Sequence, residues 1–146
     1  MPLPLLQPVL ATTGQPGGDQ ANWCVEAKWD GWGPLVYVGD GLRVRTRTSR
    51  QVTDSLPELT GLIDALDGHR VILVGESVAC VDGRVDFYRL APRTMHTGRM
   101  ARWAATQVPV TFVAYDLLHL DGMSPGWRWW SANGCSTNFG WWDQPG

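Results

Sequence analysis

Lysine is nearly missing from this chain: its 146 residues hold one, Lys28, against eleven arginines. Arginine is a permanent cation and a poor nucleophile, so the only side-chain amine able to shed its proton and attack an electrophile stands at position 28. Codon bias in a GC-rich genome would produce the same scarcity with no chemistry attached. Cysteine is also scarce. Cys24, Cys80 and Cys135 are odd in number and lack metal-ligand spacing, which speaks against a disulfide framework and for reduced thiols in a cytoplasmic protein. His69, His96 and His119 are scattered and suggest no metal centre. No apolar run is long enough to span a membrane, and the proline-rich start lacks the basic and apolar regions of a signal peptide. A formal net charge of -2 argues against strong nonspecific attraction to nucleic acid, so any positive surface must be local. The length allows one domain at most.

What is present is patterned. Val36 and Val38, then Leu42, Val44 and Thr46, alternate with other residues around Gly39-Asp40-Gly41, which has the chemistry of a hairpin turn. Arg43, Arg45 and Arg47 fall two apart on the second strand, so their side chains are expected to project from one face. Such a stripe suits phosphate, because guanidinium groups donate paired hydrogen bonds; an ordinary solvated sheet face is the plainer reading.

Over residues 55–66, Leu56, Leu59, Leu62, Ile63 and Leu66 have helical spacing, with Asp54 or Ser55 as N-cap, Pro57 in the first turn and Gly68 as the stop. Residues 71–81 form an apolar, β-branched run interrupted by Gly75 and Glu76. A carboxylate in such a run must find a partner or protonate. Glu76 is therefore a structural ion-pair member, which physics alone favours, or a site residue. Residues 108–118 read as another buried strand with Tyr115 and Asp116 near its end, Tyr115 being either a core tyrosine or a stacking platform. Residues 86–103 carry Arg89, Arg93, Arg99 and Arg102 among Phe87, Tyr88, Leu90 and Met95, which suggests one or two short helices with a basic side facing DNA phosphates or water. The expected fold is α+β, a mainly antiparallel β-sheet with packed helices.

The run Glu26-Ala27-Lys28-Trp29-Asp30-Gly31 resembles the adenylation motif of ATP-dependent DNA ligases, within the lysine nucleotidyltransferase superfamily. Further stretches resemble that family's motifs in order. Leu6-Gln7-Pro8-Val9-Leu10-Ala11-Thr12 is similar to the lead-in of bacterial ligases, and Arg43-Val44-Arg45-Thr46-Arg47-Thr48-Ser49-Arg50 to the arginine-bearing motif. Val74-Gly75-Glu76 is similar to the Asp-Gly-Glu motif, and Phe112-Val113-Ala114-Tyr115-Asp116-Leu117-Leu118 to the aromatic-Asp-Leu-Leu motif. The following Leu118-His119-Leu120-Asp121-Gly122 points to DNA ligases rather than capping enzymes.

The resemblance implies part of an ATP-grasp-like nucleotidyltransferase domain over residues 23–122, after a lead-in over 1–22. It implies Lys28 as the nucleophile toward ATP, with Glu26, Asp30, Arg47, Glu76 and Tyr115 around the nucleotide. Arg43, Arg45 and Arg50 would meet phosphate or DNA, and Glu76 would help hold Mg²⁺. Nicked double-stranded DNA is the implied partner, in repair or recombination.

Departures from the family pattern set expectations too. Gly33 stands where the lysine motif has an arginine, Val74 where the acidic motif begins with aspartate, and Ser49 where glycine is usual. After Gly122 the resemblance stops, so the later motifs and the oligonucleotide-binding barrel have no counterpart. Enzymatic activity is accordingly open: the alternative is a catalytically inactive nucleotide- or DNA-binding remnant, or the product of a pseudogene. The isolated chain is expected not to seal nicks unless a separate polypeptide supplies the missing half. Residues 123–146 pack Trp127, Trp129, Trp130, Trp141 and Trp142 without helical or strand periodicity, as an out-of-frame tail would; the rival reading is a tryptophan-rich segment that stacks bases or carbohydrate.

Overall fold

A computed structural model describes residues 2–7, 14 and 27–124. The alternation around Gly39-Asp40-Gly41 folds into a hairpin. β1 (Leu35–Gly39) and β2 (Gly41–Arg45) pair antiparallel, with Val36 opposite Val44 and Val38 opposite Leu42. β1 also pairs with β3 (Val71–Val81), and β5 (Val110–Leu120) runs antiparallel along the other edge of β3. The short β4 (Arg84–Val85) folds back on Cys80 and Val81. The β3–β5 register slips at Val74/Gly75. A Cβ on Gly75 would collide with the Val113 carbonyl oxygen and the Phe112 ring, so only glycine lets the two strands approach here.

The sheet has two unequal faces. On one, Val36, Val44, Val71, Leu73 and Phe112 pack with Val52, Leu56, Leu59, Leu62 and Leu90 as the main core. Each fully buried aliphatic side chain there contributes about 1.5–3 kcal/mol. On the other, Leu35, Tyr37 and Ile72 form a smaller cluster covered by Leu3 and Leu6. The Tyr37 hydroxyl fixes that cover, donating to the Leu6 carbonyl oxygen at 3.3 Å and accepting from the Leu6 N–H at 3.2 Å.

The single helix expected over 55–66 is instead three pieces: 3₁₀ turns at Thr53–Ser55 and Pro57–Thr60, then α1 (Gly61–Ala65). Pro57 cannot donate to the preceding turn, and Gly61 weakens helix continuation. Neither Asp54 nor Ser55 caps through its side chain; the Ser55 hydroxyl donates to the Thr94 carbonyl oxygen at 3.4 Å. Leu56, Leu59 and Leu62 still reach the core, while Ile63 is 38% exposed.

Between β4 and β5 lie α2 (Phe87–Leu90), a 3₁₀ turn (Ala91–Met95) and α3 (Gly98–Gln107). Asp86 caps α2 by accepting from the Arg89 N–H at 3.1 Å. The expected basic side loses one member, because Arg93 is 2% exposed. Its guanidinium lies 3.0 Å from the Glu58 carboxylate and also donates to the Val108 and Ser55 carbonyl oxygens. Glu58 in turn accepts the Val110 N–H at 2.9 Å, so this pair, buried at its arginine end, ties the 53–60 turns to the start of β5.

Among the described residues no helix is long and apolar enough to cross a membrane. Cys80 is an exposed free thiol. Cys24, Cys135 and the tail, apart from Met123 and Ser124, lie outside the described residues.

Candidate functional site

Lys28, Trp29 and Asp30 are exposed on the approach to the sheet. A two-residue bridge sets where that approach runs. Trp32 N–H donates to the Ser77 carbonyl oxygen at 2.9 Å, and Ser77 N–H to that of Trp32 at 2.7 Å. Gly31 permits it, since a Cβ there would overlap the Ser77 carbonyl oxygen. The lysine segment is thereby fastened across the middle of β3, beside Glu76.

A cleft of about 1160 Å³ opens at this junction, and Lys28, Arg47, Arg50, Glu76, Tyr115 and Asp116 line it. Five of the residues singled out from sequence therefore converge: Lys28, Arg47, Arg50, Glu76 and Tyr115. Asp30 is not in the wall but acts on it electrostatically. Glu26 lies outside the described residues.

Glu76 is half-buried, and loss of hydration pushes its carboxyl above the ordinary glutamate range. The Gly31 N–H donated to it and the charge of Lys28 pull the other way, while Asp30 pushes it further up. The ion pairs among the described residues are His69–Asp121, Arg70–Asp40 and Arg93–Glu58. Glu76 is in none of these pairs; what acts on it among the described residues is a backbone donor at Gly31, the charge of Lys28 and that of Asp30. A Cβ on Gly33 would lie 3.2 Å from Glu76 Oε2 and 3.9 Å from Tyr115 Oη, so the glycine leaves the cleft floor open between those two groups.

The expected one-faced stripe of Arg43, Arg45 and Arg47 is corrected, because β2 ends at Arg45. Arg43 lies over the Tyr37 ring, 5.6 Å from its centre. Arg45 donates from Nε and Nη2 to the Ser49 carbonyl oxygen. A tight turn follows. Thr46 N–H donates to Arg50 O at 2.9 Å, Ser49 N–H to Thr46 O at 2.8 Å, and Arg50 N–H to Thr46 Oγ1 at 3.2 Å. That turn, not a strand face, brings Arg47, Thr48 and Arg50 to the cleft.

The wall also contains residues the sequence did not single out for the site: Gln7, Trp32, Phe87 and Asp116. Gln7 and Asp116 sit inside recognisable motifs, which was signal enough to find them; nothing in the sequence marks Phe87. Among the described residues no three His, Cys, Asp or Glu side chains cluster as a metal cage. Magnesium needs only one or two carboxylates, with water and substrate phosphate completing its shell, and Glu76 and Asp116 are the carboxylates among the described residues that line the cleft.

Residues 15–125 match the model of the ATP dependent DNA ligase domain family. The chain is 39% identical over 119 residues to the multifunctional non-homologous end joining DNA repair protein LigD of Mycobacterium tuberculosis, covering 80% of this chain and 14% of that protein. It is 32% identical to DNA ligase C of the same organism, covering 81% of this chain and 33% of the relative. It is 37% identical to a probable DNA ligase of Streptomyces griseus, covering 80% and 24%. A solved mycobacterial DNA ligase D, complexed with ATP and MES, superposes with a TM-score of 0.59 at 34% identity over 72% of this chain and 32% of that one. The chain thus spans a third or less of the length of these relatives.

Proposed function

Because this chain belongs to the ATP-dependent DNA ligase family, we propose that its cleft binds ATP and that Lys28 is the residue adenylylated. The deprotonated Lys28 amine attacks the α-phosphorus of ATP. A nitrogen–phosphorus bond forms, the bond to the bridging oxygen breaks, and pyrophosphate leaves. Phosphoryl transfer is largely positioning and charge neutralisation, which Arg47 and Arg50 supply as permanent cations at the cleft. Tyr115 offers a ring for the adenine, and Asp30 orients the lysine. Mg²⁺, held by Glu76 and Asp116, would add further neutralisation of phosphate charge. Transfer of the AMP to the 5′-phosphate of nicked duplex DNA and its displacement by a 3′-hydroxyl, in cytoplasmic repair or recombination, are the later steps of this reading.

The observation that carries it is the convergence of Lys28, Arg47, Glu76 and Tyr115, from four separate stretches of chain, on one cleft. Incubation with ATP labelled at the α- or the γ-phosphate tests it. Label retained from the α-position only, and lost in Lys28→Ala, supports the proposal; label from the γ-position, or label in the variant, contradicts it. The open floor at Gly33 favours a second reading, nucleotide binding without chemistry. Bound ATP with no covalent label would establish that one instead.

A further inference from the structure

From Phe87 to Tyr115 the sequence contains no aspartate or glutamate. Within that stretch α3 buries Ala101 and Ala104, small residues that seat it closely on the 53–60 turns. Helical spacing then puts Arg99, Arg102 and Trp103 on the opposite, outward side, Arg102 and Trp103 following Arg99 by three and four residues, with Met100 on the flank. Trp103 is 58% exposed and Met100 51%. Arg99 and Arg102 take part in no ion pair among the described residues. Two unneutralised guanidinium groups thus stand about 4.5 Å apart along the helix axis beside an exposed indole. This surface is not part of the cleft.

We propose that the outward face of α3 is a contact surface for single-stranded nucleic acid, with Arg99 and Arg102 on neighbouring phosphates and Trp103 stacked on a base. Charge complementarity selects the occupant: a helix with no carboxylate of its own and two exposed arginines outside the ion pairs of the described residues suits a polyanion. The indole selects the strand form. A flat ring with one N–H donor binds the π-face of a base, which an unpaired strand offers and a duplex keeps stacked.

The test is fluorescence anisotropy of the full chain with labelled oligothymidylate over a salt series, beside the same strand annealed to its complement. The wild type is expected to bind the single strand, and substitutions on α3 to weaken that binding more than binding of the duplex. Arg99→Gln/Arg102→Gln should make the slope of log affinity against log salt shallower by about 1.4, at roughly 0.7 for each phosphate no longer neutralised. Trp103→Ala should weaken binding roughly tenfold with the slope unchanged. Equal losses on single strand and duplex in the variants, an unchanged slope in the double arginine variant, or no binding by wild type overturns the proposal; in the last case the face is left to a protein partner. Urea midpoints matching wild type confirm that the variants fold. Covalent labelling by ATP is read separately, so failure of the adenylylation reading leaves this test standing.

Discussion

Arg45 holds the carbonyl oxygen of Ser49 with two donors, Nε at 3.3 Å and Nη2 at 3.0 Å, and Ser49 sits in the left-handed region at φ 66°. A side chain expected to meet phosphate instead braces the turn that delivers Arg47 and Arg50. Arg45→Ala is expected to weaken ATP binding about fivefold, in keeping with the loss of roughly 1 kcal/mol of exposed hydrogen bonding. Ser49→Gly removes a left-handed strain of about 1 kcal/mol and should restore much of that affinity in the double variant. Titration calorimetry of the two single variants and the double variant checks this. Additive, uncoupled effects would show that Arg45 does not act through the turn.

Gly31 is required by the Trp32–Ser77 bridge. Gly31→Ala should cost about 1–3 kcal/mol in urea unfolding, as overpacking does, and displace Lys28 so that covalent labelling falls with it. Gly33→Ala presses on the flexible end of Glu76 at 3.2 Å and meets Gly75 O and Tyr115 Oη at ordinary contact distance, so it should leave the urea midpoint unchanged while altering ATP affinity.

Glu76 gives a pH signature. Its folded carboxyl titrates above the unfolded one because burial disfavours the charge. Its contribution to stability is therefore full below the unfolded value and lost as pH rises through the folded value. Glu76→Gln mimics the protonated form. The urea midpoint of the variant relative to wild type is expected to climb as pH rises through and above the ordinary carboxylate range, then level off. A constant difference would mean that Glu76 is not desolvated.

The Arg93–Glu58 pair predicts a large effect from a residue that reads as surface charge. Arg93→Ala empties a buried site and removes the bonds of the guanidinium to Glu58 and to the Val108 and Ser55 carbonyl oxygens, so it should cost about 3–5 kcal/mol. Arg99→Ala, on the outward side of α3, should fall within about 0.5 kcal/mol of wild type. Urea denaturation of both variants decides the matter, and equal effects would contradict the burial of Arg93.

The strands were legible because they alternate or run apolar between turn residues: the hairpin around Asp40 and the 71–81 strand fold as their patterns imply. β5 starts two residues later than the 108–118 reading and runs on to Leu120, since Val108 still donates to the Ala104 carbonyl oxygen and Pro109 cannot join a ladder. Leucine spacing over 55–66 reported the buried side faithfully but not the backbone, because Pro57 and Gly61 break the helix without moving Leu56, Leu59 or Leu62 out of the core. At the site, the motifs placed Lys28, Arg47, Arg50, Glu76 and Tyr115 in one cleft. The partners of Arg45 and Arg93 were not legible. Each includes backbone carbonyl oxygens, which every residue carries and only the folded chain selects. Phe87 reaches the wall by the packing of α2, which local pattern does not encode.

Whether Lys28 takes up the nucleotide is decided by the intact mass of the purified chain after incubation with ATP and Mg²⁺, beside Lys28→Ala. Lys28 is the sole lysine, so a lysine-linked adduct has one address. The expected outcome is a gain of one adenylyl group that is acid-labile, as a phosphoramidate is, and absent from the variant. A folded wild-type chain that gains no mass, or a variant that gains as much as wild type, would refute the role assigned to Lys28.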